Sequence, residues 1–231
     1  MRTPRLPSLL LSVVAFMAQA MAADFRLAAP ISDHMVLQRG KPVAVWGFAD
    51  AGEKVTVTFA GQTKDAVAGS DGKWTVRLDA LEASAEPRSL VAAGSGSRKA
   101  EATDVLVGEV WLGSGQSNMA MTVQSSNDFE KEKAAANFPL IRHYKESSGP
   151  ADQPQAEGKG AWSVCSPENV GGFSATLYFF GREIHRELGV PVGIVNTSVG
   201  GTPIEAWVSA ETPSSAPETK AVDDARLKDH G

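Results

Sequence analysis

Residues 104–119, "DVLVGEVWLGSGQSNM", decide the fold, because an apolar run ends there at a turn rich in glycine. The run is nearly unbroken, which predicts a strand buried on both faces of a parallel sheet. Ser117 and Asn118 follow at the point where a helix is expected to begin. Ligands bind beyond the carboxyl ends of such strands, so the turn is a candidate site. Ser117 is then a candidate nucleophile. The alternative is that Ser117 or Asn118 only caps the helix, because Ser and Asn are both preferred N-cap residues.

The sequence downstream predicts a second parallel strand. Residues 173–188, "FSATLYFFGREIHREL", carry apolar side chains at three- and four-residue steps, which predicts a helix that ends at Gly189. Residues 192–201, "VGIVNTSVGG", then predict an apolar strand that runs into a glycine pair. Strand, helix and strand in this order favour a right-handed parallel crossover. Both glycine-containing turns are therefore expected at the same edge of one sheet.

Residues 23–103 have the pattern of a small antiparallel β-sandwich. "KVTVTF" (54–59) and "WTVRL" (74–78) alternate apolar and polar residues, as half-buried strands do. "VAVW" (43–46) and "SLVAA" (89–93) predict further short strands, with glycine turn signals between them. The predicted fold class is therefore α/β, with this β-sandwich followed by a domain built on a parallel sheet.

A cleaved signal peptide is predicted at residues 1–22. Arg2 and Arg5 precede an apolar segment (9–16), and small residues end the stretch at Ala22. The apolar segment is well short of the roughly 20 residues that a spanning helix needs, which disfavours a membrane anchor. The protein is therefore expected to be secreted or periplasmic, without stable membrane association.

The composition is that of a globular protein without affinity for nucleic acid. Of 231 residues, 42% are hydrophobic and 21% are charged. The 27 acidic residues outnumber the 22 basic ones, so no basic patch favours a nucleic-acid partner. Cys165 is the one cysteine, which excludes an internal disulfide and favours a small buried residue over a reactive thiol.

Three common motifs are excluded for the turn around Ser117. A dinucleotide-binding motif needs a third glycine where Asn118 stands, and a phosphate-binding loop needs a lysine followed by Ser or Thr. The G-x-S-x-G turn of α/β-hydrolases needs a glycine where Met119 stands. What remains is a serine at a strand-to-helix turn, a position suited to acyl transfer.

Acyl transfer needs N–H donors aimed at the oxyanion that forms in the transition state. The N–H of Ser117, free in a first helical turn, is one candidate. Gly200 and Gly201 at the neighbouring strand end offer others, because no side chain obstructs their N–H groups. The alternative for this pair is a turn that needs a positive φ.

"VWLGSGQSNM" followed by "VGGTPIEAW" resembles the sialate O-acetylesterase family, serine esterases of the SGNH-hydrolase kind that are related to carbohydrate acetylxylan esterases. "ISDHMVLQRGKPVAVWGFADAGEKVTV" resembles the β-sandwich of longer members. The resemblance implies an incomplete SGNH-like α/β/α domain, with a flavodoxin-like parallel sheet, over residues 104–231. It implies that Ser117 is the nucleophile, supported by Gln116 and Asn118 of the same motif, and that a glycine of the Gly200–Gly201 pair helps to form the oxyanion hole. The implied reaction removes O-acetyl groups from sugars, with no metal or organic cofactor.

The sequence lacks the family's motif for the catalytic base. In that family the base lies in an Asp-x-x-His motif near the carboxyl end, after a block resembling Gln-Gly-Glu, and neither motif is present. No aspartate stands three residues before any of the four histidines. His34 belongs to the β-rich unit, His143 lies near a possible strand end, His185 lies on a charged helix, and His230 lies in a polar tail. The base stays unassigned among them.

The chain is therefore expected to be the amino-terminal portion of a longer esterase, with the nucleophile and part of the oxyanion hole but without the full triad. Its incomplete sheet is expected to expose an unpaired strand edge that is prone to aggregation.

Two other functions stay open at this point. One is an esterase that acts on acetylated plant polysaccharide, of the acetylxylan type. The other is a non-catalytic carbohydrate-binding protein, in which Trp46 and Trp74 stack on sugars; their alternating strands favour burial in the core instead. Arg142 or Lys145 would be the candidates to bind the carboxylate of a sialic acid, against the alternative of a solvated surface role.

Overall fold

The computed structural model describes residues 24–149, 151 and 153–207. The predicted signal peptide (1–22) and the polar tail with His230 lie outside these residues, so secretion stays a prediction from the sequence. Within the described part, no helix has the length and apolar character needed to cross a membrane.

The first part of the chain is rich in antiparallel strands, as predicted. β1 to β4 span Arg26–Leu27, Val36–Gln38, Val43–Phe48 and Lys54–Phe59, and β5 to β7 span Gln62–Val67, Lys73–Leu78 and Ser84–Ala93. β3, β4, β6 and β7 coincide with predicted strands, and β7 begins earlier than predicted. β5 was missed because its residues alternate between half-buried and exposed, without a fully buried apolar side chain.

One long strand joins the two parts of the chain. β8 (Lys99–Gly113) pairs with β7 in antiparallel fashion through residues 99–107, and then with β11 (Val192–Asn196) in parallel fashion through residues 109–113. The predicted boundary between residues 103 and 104 thus falls inside a continuous strand. β1, β3 and β6 form a separate three-stranded sheet.

The second part is an α/β unit. β9 (Phe138–Glu146) and β10 (Gly160–Cys165) complete a sheet with the order β10-β9-β11-β8-β7-β4-β5, in which β11 is parallel to both β8 and β9. The predicted parallel pairing of β8 with β11 is confirmed. Three α-helices of the described residues accompany these strands: α1 (Ser117–Ala120), α2 (Phe129–Ala135) and α3 (Ala175–Leu188).

The ends of α3 show why this segment is helical. The Ser174 side chain caps the first turn by accepting from the Leu177 N–H, and Gly189 ends the helix with a left-handed φ of 64°. The side chains of Leu177 and Tyr178 are buried against the sheet. The helix predicted over residues 173–188 is therefore confirmed.

The described residues form two apolar cores, and the burial of Trp74 and Cys165 in them tests the predictions made for these residues. Trp74 is fully buried in the sandwich core and Trp46 packs against that core, so the use of Trp74 as a sugar platform is wrong. Cys165 is buried in the core beneath α3, and burial raises the pKa of its thiol to about 12. The thiol is therefore protonated at neutral pH and unreactive, as the sequence predicted.

Residues 109–113 of β8 have a neighbouring strand on one side only. β11 pairs with them, whereas β2 pairs with β8 no further than Gly108, and no other described strand lies along that side. Trp111 and Leu112 project from this edge with 43% and 68% of their surface exposed. The predicted unpaired edge is therefore present in the described part of the chain.

Candidate active site

Ser117 lies at the junction of β8 and α1. β8 ends at Gly113, and a short turn leads to Ser117 as the first residue of α1. A Cβ atom on Gly113 would lie 2.6 Å from Leu177 Cδ2, so any side chain here would force the buried Leu177 of α3 to shift. Gly115 has a φ of 131°, which side chains of L-residues rarely permit. The turn leaves Ser117 exposed beyond the carboxyl end of β8, where the sequence predicted it.

Gln116, not Ser117, caps the helix. The Oε1 atom of Gln116 accepts from the Ser117 N–H at 2.9 Å and from the Ser117 hydroxyl at 2.6 Å. The interpretation of Ser117 as a cap is therefore wrong. The Ser117 N–H is also not free, and a substrate oxyanion would have to replace the Gln116 amide oxygen to use it. An amide oxygen does not take the hydroxyl proton, so this contact does not activate the serine.

Asn118 supports the turn through its backbone. Its carbonyl accepts from the Thr176 hydroxyl at 3.0 Å, and the next carbonyl, of Met119, accepts from the Ser174 hydroxyl at 2.6 Å. These bonds fix α1 to the start of α3. The Asn118 side chain is exposed.

The two glycine-containing turns meet at one edge of the sheet, as predicted. The Thr197 N–H donates to the Gly113 carbonyl and the Val199 N–H donates to the Gly115 carbonyl, both at 3.0 Å. The turn after β11 therefore runs alongside the turn that carries Ser117.

Asn196 sets the start of this second turn, and the sequence analysis missed it. Its buried side chain accepts from the Ser198 N–H at 2.9 Å and from the Ser198 hydroxyl at 2.6 Å. An Asn that ends an apolar strand two residues before a serine is the signal that could have identified this turn.

Gly200 and Gly201 lie in an exposed part of the same turn. Gly201 has a φ of 81°, and no atom lies within 4 Å of a Cβ position on either residue. The positive φ favours the turn interpretation for Gly201. The role of the pair in an oxyanion hole stays a prediction.

Two depressions flank residues 114–116. The first, of about 440 Å³, contains Ser117 and is called the Thr176 depression; the second, of about 410 Å³, is called the Trp207 depression. Both volumes fall in the range of roughly 300–1,000 Å³ that small-molecule sites have. The Thr176 depression is lined by Ser114, Gly115, Gln116, Ser117, Asn118, Met119 and Thr176. The Trp207 depression is lined by Ser114, Gly115, Gln116, Thr202, Pro203, Ile204 and Trp207.

None of the described histidines donates to or accepts from Ser117. His34 Nδ1 lies 2.6 Å from Asp104 Oδ2, and Asp104 precedes Gly113 by nine strand residues, which is about 30 Å at 3.3 Å per residue. His185 Nδ1 lies 2.7 Å from the Val190 carbonyl at the end of α3. Among the described residues, no group of three or more His, Cys, Asp or Glu side chains is placed so that it could bind a metal ion.

Family membership follows from a comparison of the sequence with protein families. The family of carbohydrate esterases described as sialic acid-specific acetylesterases matches residues 107–226, more than half of the chain. The chain belongs to this family. The match contains both turns of the site and Ser117.

Relatives and a solved structure agree with this membership. The chain is 36% identical to the sialate O-acetylesterase of Rattus norvegicus over 219 residues, which are 87% of this chain and 40% of that protein. It is 34% identical to that of Homo sapiens over 223 residues, 88% of this chain and 42% of that protein. A carbohydrate acetylesterase from Xanthomonas citri has 37% identity and a TM-score of 0.78 over 84% of this chain and 44% of that chain. The chain spans about two fifths of the length of these two curated relatives.

His143 is a buried core residue of this acetylesterase-family chain. It lies in β9, three residues before the strand ends, and 2% of its surface is exposed. Its ring stacks on Phe173 at 4.5 Å, and its Nε2 accepts from the Ser174 N–H at 3.4 Å. Burial, with the nearby charge of Lys145, lowers the pKa of His143 from 6.5 to about 4. A pKa this low makes the imidazole a weak base, and its Nε2 is buried and already accepts from the Ser174 N–H, which argues against His143 as the catalytic base.

The low pKa of His143 predicts a loss of stability in acid. Between pH 6.5 and about 4, the unfolded chain binds a proton at His143 that the folded chain does not. The free energy of unfolding is expected to fall by about 3 kcal/mol across this range. In His143→Phe the contribution is absent, so urea midpoints measured from pH 7 to pH 4.5 should change less than in the wild type. His34 and His185 are present in both proteins, and equal slopes would contradict the assignment.

Arg142 is excluded as a ligand for a sialic acid carboxylate. Its side chain is buried and donates to Asp104 through Nη1 at 2.5 Å and Nη2 at 3.2 Å. Burial alone would raise the pKa of Asp104, but the hydrogen bonds from Arg142 and His34 hold it below its usual value. The three residues form a structural contact between the sandwich and β9.

Proposed function

We propose that the chain carries the nucleophile part of a carbohydrate O-acetylesterase site. The observation that carries this proposal is the exposed Ser117 in the Thr176 depression, at the strand-to-helix junction of a chain from an acetylesterase family. Ser117 Oγ attacks the carbonyl carbon of the acetyl group, and the bond from that carbon to the sugar oxygen breaks. The sugar leaves with a proton, and water hydrolyses the acetyl-serine to acetate and free serine.

The base that takes the Ser117 proton comes, in this proposal, from outside the described residues. Inside them the hydroxyl donates to Gln116, and the histidines are engaged elsewhere. A serine without a base is a poor nucleophile at neutral pH. The chain thus supplies the attacking atom and needs a histidine from another segment.

The proposed substrate is an O-acetylated sialic acid, and Lys145 supports this choice. The β9–β11 register pairs Lys145 with Asn196, and the β11–β8 register pairs Asn196 with Gly113. Lys145 therefore lies at the sheet edge where Ser117 lies, at a strand end two strands away. Its side chain is exposed. Its ammonium group has no partner among the described residues, and an ammonium group at this edge is suited to bind the carboxylate that sialic acids carry and neutral sugars lack.

A chimera tests the proposed reaction. Residues 24–207 would replace the matching part of the Xanthomonas citri acetylesterase, whose fold they share with a TM-score of 0.78. The folded chimera is expected to release acetate from O-acetylated N-acetylneuraminic acid, and Ser117→Ala is expected to lower the rate by at least about 10³-fold. A chimera that has the circular dichroism and cooperative melting of a folded protein but releases no acetate from any acetylated sugar would contradict the proposal.

The same chimera separates sialic acid from neutral sugars. Lys145→Gln is expected to raise KM for 9-O-acetyl-N-acetylneuraminic acid by about tenfold, the worth of one hydrogen bond to a charged group. KM for acetylated xylose should stay unchanged, and Lys145→Arg should retain most of the affinity for the sialic acid. Equal effects on both sugars, or a preference for acetylated xylose, would favour an acetylxylan-type esterase.

A further inference from the structure

The Trp207 depression has one polar wall and one apolar wall. Ser114, Gly115 and Gln116 form the wall next to the nucleophile, and Ile204 and Trp207 stand in the 3₁₀ helix Ile204–Trp207 on the other side. Ile204 is 75% exposed and Trp207 is 39% exposed. Large apolar side chains exposed beside a candidate site are typical of ligand-binding surfaces.

The Trp207 ring is held in place by hydrogen bonds that lead back to the nucleophile turn. Its Nε1–H donates to the Thr202 hydroxyl at 3.0 Å, and that hydroxyl donates to the Val199 carbonyl at 2.8 Å. The Val199 N–H in turn donates to the Gly115 carbonyl at 3.0 Å. The one polar atom of the indole is therefore satisfied, and its exposed ring is an apolar surface at a fixed place relative to Ser117.

The shape and chemistry of this depression suit a pyranose ring. Such a ring has a face of C–H groups that packs on an aromatic face, and hydroxyl groups around its rim. The indole of Trp207 supplies the aromatic face, and Ser114 and Gln116, which carry hydrogen-bonding side chains, also line the depression.

We propose that Trp207 is the platform on which the sugar ring of the substrate stacks while its acetyl group lies at Ser117. This inference rests on the proposed function. The Thr176 and Trp207 depressions share Ser114, Gly115 and Gln116, so one acetylated sugar can extend from one into the other across this turn. Trp207 is thus a specificity-determining residue, which orients the sugar and takes no part in bond breaking.

Binding to the full chain tests the platform directly. The probe is the methyl α-glycoside of N-acetylneuraminic acid, added to ¹⁵N-labelled protein while the indole N–H signals are recorded. The Trp207 signal, assigned by its loss in Trp207→Phe, is expected to shift with the sugar concentration. Kd, measured in every protein from the backbone amide shifts of residues 114–116, should rise at least tenfold in Trp207→Ala and less than threefold in Trp207→Phe. A Kd in Trp207→Ala equal to that of the wild type would overturn the proposal.

Two further variants distinguish a platform from a general loss of structure. Thr202→Val removes the group that holds the indole but keeps the ring, and is expected to raise Kd by about threefold to fivefold, which is below 1 kcal/mol. Trp111→Ala alters another half-exposed tryptophan, which packs on Phe180 at 5.1 Å outside the depression. It should leave Kd unchanged. If Trp111→Ala weakens binding as much as Trp207→Ala, the proposal is wrong.

Kinetics of the chimera keep this inference separate from the proposed function. Trp207→Ala should raise KM for O-acetylated N-acetylneuraminic acid and leave kcat, and also the hydrolysis of ethyl acetate, nearly unchanged, because ethyl acetate has no ring to stack. An active chimera in which Trp207→Ala leaves every KM unchanged overturns the platform and retains the esterase. A folded chimera without activity overturns the esterase, and the binding titration still decides the role of Trp207.

Discussion

The chain alone is expected to hydrolyse 4-nitrophenyl acetate about 10²–10⁴-fold more slowly than the Xanthomonas citri acetylesterase, because none of the described residues acts as a base for Ser117. The hydroxyl of Ser117 donates to an amide oxygen, and the described histidines bond to Asp104, to the Ser174 N–H and to the Val190 carbonyl. General base catalysis contributes typically 10²–10⁴-fold to such reactions. The measurement is the release of 4-nitrophenol by both proteins at equal concentration and pH.

Serine variants show where any residual turnover arises. Ser117→Ala is expected to lower it to the rate of buffer alone, whereas Ser70→Ala should not change it. Ser70 is another exposed serine, in a turn of the sandwich. Turnover at ordinary esterase rates that Ser117→Ala abolishes would show that a base reaches Ser117 after all, and His230 would then be the first histidine to replace.

The strands and the helix that position Ser117 were predictable because each depends on short sequence periods. The alternation in β4 and β6, the unbroken apolar run in β8 and the three- and four-residue steps in α3 all report burial within a few residues. The ends of β8 and β11 were also predictable, because each apolar run is followed by a turn that contains glycine. These local signals sufficed to bring the two turns together.

Features that depend on contacts between distant segments were not predictable. β9 lies between β10 and β11 although it precedes both in the sequence, and the burial of His143 follows from that insertion. The pairing of Arg142 with Asp104 joins residues 38 positions apart. The contact of Gln116 with Ser117 is local, but it depends on a side-chain conformation that no sequence period reports.

The continuity of β8 is another feature that the sequence alone did not give. The change from β-rich to α/β pattern near residue 104 suggested two separate units, but a single strand serves both. Gly108 lies where the strand changes partners: it pairs with Gln38 of β2, and the next residue donates its N–H to the Pro191 carbonyl at 2.9 Å. The placement of β11, and with it of the second turn of the site, therefore depends on this crossing point.

Gly108→Ala is expected to destabilise the protein by about 3 kcal/mol or more. A Cβ atom at this position would lie 1.9 Å from the Pro191 carbonyl oxygen and 2.6 Å from its carbon. Both are backbone atoms, so no side-chain rotation relieves the clash, and β11 must move away from β8. The measurement is the urea midpoint followed by far-UV circular dichroism, or the soluble yield if the variant does not fold.

Gly172→Ala is the matched control for this substitution. No atom lies within 4 Å of the Cβ position of Gly172, and its φ is outside the left-handed region. Its stability is expected to equal that of the wild type within about 0.5 kcal/mol, or to exceed it slightly through a smaller entropy of the unfolded chain. An unchanged midpoint in Gly108→Ala would mean that Pro191 can move without loss of the parallel pairing. In that case, the close approach of Gly108 to Pro191 does not determine the position of β11 and of the second turn of the site beside β8.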